Sequence, residues 1–256
     1  IWSDVQIGQI IRANPDGSDA DVILARHLPA YHVVDYDFKR VYWTDTGTRS
    51  VHSIAFDGSD ETVFISGLTE PQGIDITEEG EFIIVDHQRI LKYDRSGNQL
   101  GTIVKGLNDP TDVVAHDDFL YWGDKAESAI FRASLQGNFP YRLIENVYVL
   151  VDIEVRASTN ELYWTQAPGV PGSSGIFKAK TNGVGKTLVH QGFINGIAID
   201  EFTEEIYWSQ SVDGMVHRAS LGHMADDVTL ITEGLNKPIS LNIDRASGLL
   251  FILDVQ

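Results

Sequence analysis

The sequence predicts an all-β protein, a six-bladed propeller of four-stranded antiparallel blades, and three observations carry that reading. The first is a repeat. Val41-Tyr42-Trp43-Thr44-Asp45 returns in weaker form as Ile1-Trp2-Ser3-Asp4, Ile83-Ile84-Val85-Asp86, Tyr121-Trp122-Gly123-Asp124, Tyr163-Trp164-Thr165-Gln166, Tyr207-Trp208-Ser209-Gln210 and Phe251-Ile252-Leu253-Asp254, at steps of 38 to 44 residues. A period of that length is that of a propeller blade. The second is the texture of each unit: apolar and aromatic runs of four to six residues, bounded by turn residues, with no helical periodicity of useful length. The third is physical. A four-stranded sheet cannot bury both faces alone, so the units must stack on one another, and closure into a ring is the usual solution.

Each unit reads in the same order. A short apolar segment opens it: His32-Val33-Val34-Asp35-Tyr36, Gly73-Ile74-Asp75-Ile76, Asp112-Val113-Val114-Ala115, Asp152-Ile153-Glu154-Val155, Gly196-Ile197-Ala198-Ile199 and Ser240-Leu241-Asn242-Ile243. A polar turn leads to the Tyr-Trp segment. A third segment alternates apolar and polar residues at period two, as in Gln9-Ile10-Ile11-Arg12-Ala13 and Ile130-Phe131-Arg132-Ala133, the pattern of a half-buried strand. Turn dipeptides follow, Asp16-Gly17, Asp57-Gly58, Ser96-Gly97, Gln136-Gly137 and Asn182-Gly183, in which glycine supplies a positive φ. A fourth segment such as Glu61-Thr62-Val63-Phe64-Ile65 closes the unit.

The aromatic second strands have a packing task. Tyr and Trp are large apolar fillers suited to the wedge between neighbouring sheets, so Trp43, Trp122, Trp164 and Trp208 are expected in the core. The aspartates that end the motif (Asp4, Asp45, Asp86 and Asp124) are expected to accept hydrogen bonds from nearby backbone amides, and Gln166 and Gln210 depart from that acid. Six first, third and fourth segments predict six blades in one domain spanning residues 1–256. On this count the chain begins at a second strand and ends just past a first strand, which would close the ring. Phe251–Asp254 is then a seventh second-strand copy competing with Ile1–Asp4 for one slot; a seven-bladed or incomplete ring is the alternative.

Composition narrows the function. A hydrophobic share of 43% with 22% charged residues allows a substantial core, and no apolar run approaches the eighteen or so residues of a membrane span. With no cysteine, disulfides and thiolate chemistry are excluded. The net charge of −18, without a basic stripe, argues against nucleic acid and against insertion of this domain into a membrane, and a monomer is expected. The same charge can steer cationic partners. No nucleophile elbow, zinc-protease helix or phosphate-binding glycine loop is present. Nothing resembling a signal peptide opens the chain, and no Asn-X-Ser/Thr sequon occurs.

Tyr42-Trp43-Thr44-Asp45, the third-strand Ile-x-Arg-Ala, the turns Asp16-Gly17-Ser18 and Asp57-Gly58-Ser59, and Asn195-Gly196-Ile197-Ala198-Ile199-Asp200 together resemble the YWTD propeller family, the six-bladed module of low-density-lipoprotein-receptor-type proteins. The resemblance covers essentially the whole chain. It implies a non-enzymatic module that binds peptide or protein ligands on the channel-mouth face, where an Asn before a Gly in one blade pairs with an Asn of the partner; Asn195-Gly196 matches that pattern. It also points to an extracellular setting.

Propellers place function at the mouth of the central channel, lined by the starts of the first strands. Aligned there are His32, Gly73, Asp112, Asp152, Gly196 and Ser240, preceded by Tyr31, Gln72, Thr111, Val151, Asn195 and Ile239. The ligand-binding candidates are therefore Asn195, Asp112, Asp152, His32, Gln72, Tyr31, Thr111 and Ser240, with Phe193 as a further exposed aromatic. Asp112 and Asp152 would attract a Lys or Arg of the partner. No catalytic residue, resident cofactor or metal is assigned. The alternative is a metal-dependent hydrolase or lyase, in which Asp112, Asp152 and Asn195 offer oxygen ligands to a Ca²⁺ in the channel and His32 acts as general base. A third candidate region is the lengthened hairpin loop Ala167–Gly175, since long loops on rigid scaffolds often carry binding.

Overall fold

The computed structural model describes residues 8–167, 174–223, 228–244 and 247–255. The chain opens with β1 (Gly8–Ala13) and β2 (Asp21–His27). Blade 1 follows as β3 (Pro29–Asp35), β4 (Arg40–Asp45), β5 (Ser50–Ala55) and β6 (Thr62–Ile65); blade 2 is β7 (Pro71–Ile76), β8 (Phe82–Asp86), β9 (Arg89–Tyr93) and β10 (Gln99–Lys105). Blade 3 is β11 (Pro110–His116), β12 (Phe119–Asp124), β13 (Ala129–Ser134) and β14 (Tyr141–Glu145), and blade 4 is β15 (Leu150–Arg156), β16 (Glu161–Gln166), β17 (Gly175–Lys180) and β18 (Thr187–Gln191). Blade 5 is β19 (Ile197–Asp200), β20 (Glu205–Gln210), β21 (Met215–Ser220) and β22 (Thr229–Thr232), after which come β23 (Pro238–Ile243) and β24 (Leu250–Val255). Each blade is an antiparallel meander in chain order, and the six close into a six-bladed propeller.

The sixth blade is shared between the chain ends, in the order β2-β1-β24-β23. Phe251–Asp254 lies in β24, paired with β23 on one side and β1 on the other, and so fills the second-strand slot itself. The expectation that the chain ends just past a first strand is corrected accordingly: the C-terminal segment supplies two strands to the closing blade and the N-terminal segment the other two. The competing copy Ile1–Asp4 lies outside the described residues.

The Tyr-Trp pair explains how the blades hold together. Successive side chains of a strand point to opposite faces, so each dipeptide fills two different wedges. Tyr121 packs with Trp164 between blades 3 and 4, and Tyr163 with Trp208 between blades 4 and 5. Trp122 packs on Ile83, Val85 and Ile90 of blade 2, whereas Trp43 packs on Phe251 and Leu253 of blade 6. All four tryptophans are fully buried. Each also stacks on its third-strand neighbour: Trp43 on His52, Trp122 on Phe131, Trp164 on Phe177 and Trp208 on His217, with centroids 5.3–5.8 Å apart. The scattered histidines at 52 and 217 thus take the place of phenylalanine in a repeated pair.

The motif aspartates clasp the loop that enters their own blade. Asp45 accepts from the backbone N–H of Leu28, and of Thr48 in the turn after β4, Asp86 from Thr69 and Glu70, Asp124 from Asn108 and Asp109, and Asp254 from Asn236 and Lys237. Charge-assisted bonds of this kind are about twice as strong as neutral ones, and they fix where each first strand begins. At the outer turns Gly17 and Gly58 have φ of +81° and +83°, while Asp16 and Asp57 accept from the N–H two residues on, as the Asp-Gly-Ser pattern requires.

Candidate functional site

Four of the six first strands begin with proline (Pro29, Pro71, Pro110 and Pro238), a residue confined within sheets to strand starts, edges and bulges. Immediately afterwards the pairing with the second strand slips: between Pro29 and His32, Pro71 and Ile74, Pro110 and Val113, Leu150 and Asp152, and Pro238 and Ser240. A bulge re-aims side chains. The bulged positions hold Tyr31, Gln72, Thr111, Val151 and Ile239, the residues that the aligned sequence places at the channel mouth.

Tyr31 turns into the channel. Its hydroxyl donates to the Val151 carbonyl at 2.9 Å, and because blades 1 and 4 stand opposite each other in the ring, the side chain crosses the whole channel. Burial, followed by the nearby Asp112 and Asp152, pushes its phenol well above the ordinary tyrosine range. His32, Asp112, Asp152 and Ser240 are all buried beside it. Together these five line a channel cavity of about 40 Å³.

The buried polar groups stitch neighbouring first strands together. Asp112 accepts from the N–H of Val113 at 2.9 Å and of Ile153, in the next blade, at 3.1 Å. Asp152 likewise accepts from Ile197 of blade 5 at 2.8 Å, and Asp75 from Ala115 of blade 3 at 2.7 Å. His32 Nδ1 lies 2.9 Å from the Ser240 hydroxyl, and Asn242 donates to the His32 carbonyl at 3.0 Å, joining blades 6 and 1. Where the aligned position is glycine, the strands touch directly: a Cβ on Gly196 would lie 2.6 Å from Ser240 Cα, and one on Gly73 as close to Asp112 Cα.

This environment sets the charges. Burial holds the Asp112 carboxyl well above the usual range, reinforced by the adjacent Asp152, which burial raises to about 6. The two side chains hydrogen-bond to each other, so the pair retains one proton where isolated aspartates would be ionised. Burial pushes His32 the other way, down to about 4, leaving a neutral imidazole at neutral pH. Among the described residues no group of three or more His, Asp or Glu side chains is placed to hold a metal ion.

The remaining candidates lie elsewhere. Gln72 and buried Thr111 line a groove of about 340 Å³ between the entries of blades 2 and 3, together with Glu70, His87, Asp109 and Lys125. Asn195 belongs to neither space. It stands half-buried at the entry of blade 5, two residues after the exposed Phe193. Its Oδ1 accepts from Ser211 N–H at 3.3 Å and its carbonyl from the Thr165 hydroxyl at 2.6 Å, while Nδ2 has no partner among the described residues. The eight candidates therefore form a channel set, a groove pair and one isolated amide. Of the loop Ala167–Gly175, residues 168–173 lie outside the described residues. The sequence reading missed Asp75, Glu154 and Asn242 as channel-lining residues; each sits two positions beyond an aligned first-strand residue, so the strand's period of two was the available signal.

Residues 39–75 match the low-density lipoprotein receptor repeat class B family. A low-density lipoprotein receptor-related protein 1 of Pyricularia oryzae is 27% identical over a match that covers 66% of this chain and 64% of that protein's length. In structure the chain is similar to a chain of the nidogen/laminin complex (TM-score 0.53, 16% identity, 92% of this chain and 81% of that one). It is also similar to a gluconolactonase from Xanthomonas campestris (TM-score 0.72, 16% identity, 90% and 86%). The repeated Tyr-Trp motif and the six closed blades make this chain a six-bladed β-propeller, and the repeat match makes it similar to the YWTD type.

Proposed function

We propose that the protein is a binding module and not an enzyme, and that the face carrying the first-strand entries recognises a peptide or protein ligand. The observation that carries this reading is Asn195. Its carbonyl oxygen is anchored by a backbone amide, which fixes the plane of the side chain, and its Nδ2 is left to donate outward. A held amide of this kind is satisfied only by an acceptor at the right place, which gives specificity. Phe193 supplies an exposed apolar contact beside it, and the Gln72–Thr111 groove offers room for a side chain with acidic groups, Glu70 and Asp109, on its walls. The net charge of −18 favours ligands with basic residues by raising their rate of encounter. The nidogen/laminin neighbour comes from a complex between proteins, which supports the same class of ligand.

The test is selection of displayed peptides on the immobilised wild-type domain, followed by affinity measurement against Asn195→Ala and Gln72→Ala. Selected ligands should be enriched in Lys or Arg and lose about tenfold or more in affinity with Asn195→Ala, equivalent to about 1.4 kcal/mol. Equal affinity for wild type and both variants would overturn the reading. Turnover of a lactone or ester that EDTA abolishes would replace it with metal-dependent chemistry in the channel.

A further inference from the structure

The stacked pair of rings that fills the wedge in front of most blades is absent from the closing one. In blades 1, 3, 4 and 5 a second-strand tryptophan stacks on the ring opposite it in the third strand, His52, Phe131, Phe177 or His217. The tryptophan packs on the blade before it: Trp122 shares a core cluster with Val104 and Leu107, and Trp164 with Ile144 and Val147. In blade 6 the pairing of Ile11 with Ile252 puts two isoleucines in the two ring positions. The residues of blade 5 beside them are Thr232 and Leu235. Leu235 is the equivalent of Leu107 and Val147, since each donates its N–H to the hairpin that joins the second and third strands of its blade.

A cavity of about 130 Å³ remains there, walled by Ile11, Ala13, Val22, Leu235 and Ile252, with Thr232 beside them. Blade 2 shows that the absence of a tryptophan does not by itself leave a hole. Its pair is Ile84 and Leu91, and the rings of Phe64, Phe82 and Tyr93 fill the wedge instead. By register Phe82 and Tyr93 correspond to Leu250 and Ala13 in blade 6, so that compensation is missing as well. Ala20, Asp21 and Val22 are exposed, and the cavity therefore opens at the outer rim of the ring. An aliphatic cavity of about 150 Å³ stays dry and takes up benzene. Among the described lining residues Asp21 is the one that carries a charge, and it is paired with Arg12 at 3.6 Å.

We propose that this cavity is a binding slot for a small neutral aromatic molecule of one or two rings, of the indole class, seated where the other blades place their own tryptophan. The ring is taken from water onto the side chains of Ile11, Leu235 and Ile252, and removal of apolar surface from water drives binding. The walls bring no unpaired charge to the ligand, so affinity does not depend on salt. The slot lies at the rim between blades 5 and 6, and it is independent of the peptide-binding reading of Asn195.

The experiment is titration of the methyl-labelled domain with indole, followed by nuclear magnetic resonance. Saturable shifts are expected in the methyl groups of Ile11, Val22, Leu235 and Ile252, with an affinity that does not change on adding sodium chloride. Ile252→Trp fills the slot from within and should abolish binding. Val22→Asp, at a position already 48% exposed, keeps the fold and sets a carboxylate against the ring, which should weaken binding about tenfold or more. Asn195→Ala should bind indole like wild type. The absence of saturable shifts at these methyl groups, or equal binding in folded Val22→Asp, would overturn the proposal. Tighter binding of N-acetyl-tryptophan methylamide than of indole would give the slot to a side chain of a partner, and binding seen only in Trp2→Ala would give it to the chain's own tryptophan; either result would overturn it too.

Discussion

Replacing Trp122 with alanine tests the packing on which the ring depends. Trp122 is 1% exposed, lies between blades 2 and 3 against Ile83, Val85, Ile90, Val113 and Leu120, and stacks on Phe131 at 5.7 Å with an interplanar angle of 13°. An aromatic side chain of this size removes about 200 Å² from water, which at about 25 cal/mol per Å² is worth about 5 kcal/mol. Alanine keeps a small part of that burial, and partial collapse of the two blades recovers some more, so the expected loss is about 3–5 kcal/mol. Equilibrium unfolding in urea, followed by tryptophan fluorescence and circular dichroism, measures it directly. In a melt the same change lowers Tm by roughly 6–20 °C for a domain of this size. Phe202→Ser is the control, since Phe202 is 91% exposed and its replacement should stay within about 0.5 kcal/mol of wild type. A loss below about 1 kcal/mol for Trp122→Ala would mean that the wedge between blades 2 and 3 does not depend on this ring.

The closest approach between first strands gives another test. Gly196→Ala places a methyl 2.6 Å from Ser240 Cα and 2.8 Å from Leu241 N, both backbone atoms, and should cost about 1–3 kcal/mol, whereas Gly222→Ala, with nothing within 4 Å, should be near neutral in the same urea series. The shared proton gives a pH signature. Because burial and the adjacent Asp152 hold the Asp112 carboxyl well above the usual range, the stabilising contribution of its proton is complete below about pH 4 and is lost progressively as pH rises from there towards its raised pKa. Asp112→Asn removes that titration, so its stability relative to wild type should climb from pH 4 to pH 7; a constant difference across that range would show that no proton is shared.

Much of the fold was legible because it is written in repeated chemistry. The alternation Tyr-Trp in a strand dictates that one ring faces each neighbouring blade, and Asp-Gly-Ser dictates the outer turn. The closing blade was not legible, because Ile1–Asp4 and Phe251–Asp254 carry the same pattern, and only the pairing of β24 with β23 and β1 shows which copy fills the slot. The candidate site was readable as a set of aligned positions but not as a geometry. The register slips after Pro29, Pro71 and Pro110 arise in pairing with the next strand of the same blade and leave no mark in the residue pattern, and the pattern does not distinguish Tyr31, which crosses the channel, from Gln72 and Thr111, which face a separate groove. Asp112 and Asp152 read as ligand-seeking carboxylates. Their backbone partners, Ile153 and Ile197, lie in other blades and could not be assigned from spacing.

The most direct test of the account is a hydrogen-exchange footprint of a selected peptide on the intact domain. The account predicts slowed exchange at the blade entries, in residues 193–196 together with 70–72 or 108–111, and no change at the opposite mouth around 35–38, 77–78 and 116–118. Protection confined to that opposite mouth, or to the outer strands of the blades, would contradict it.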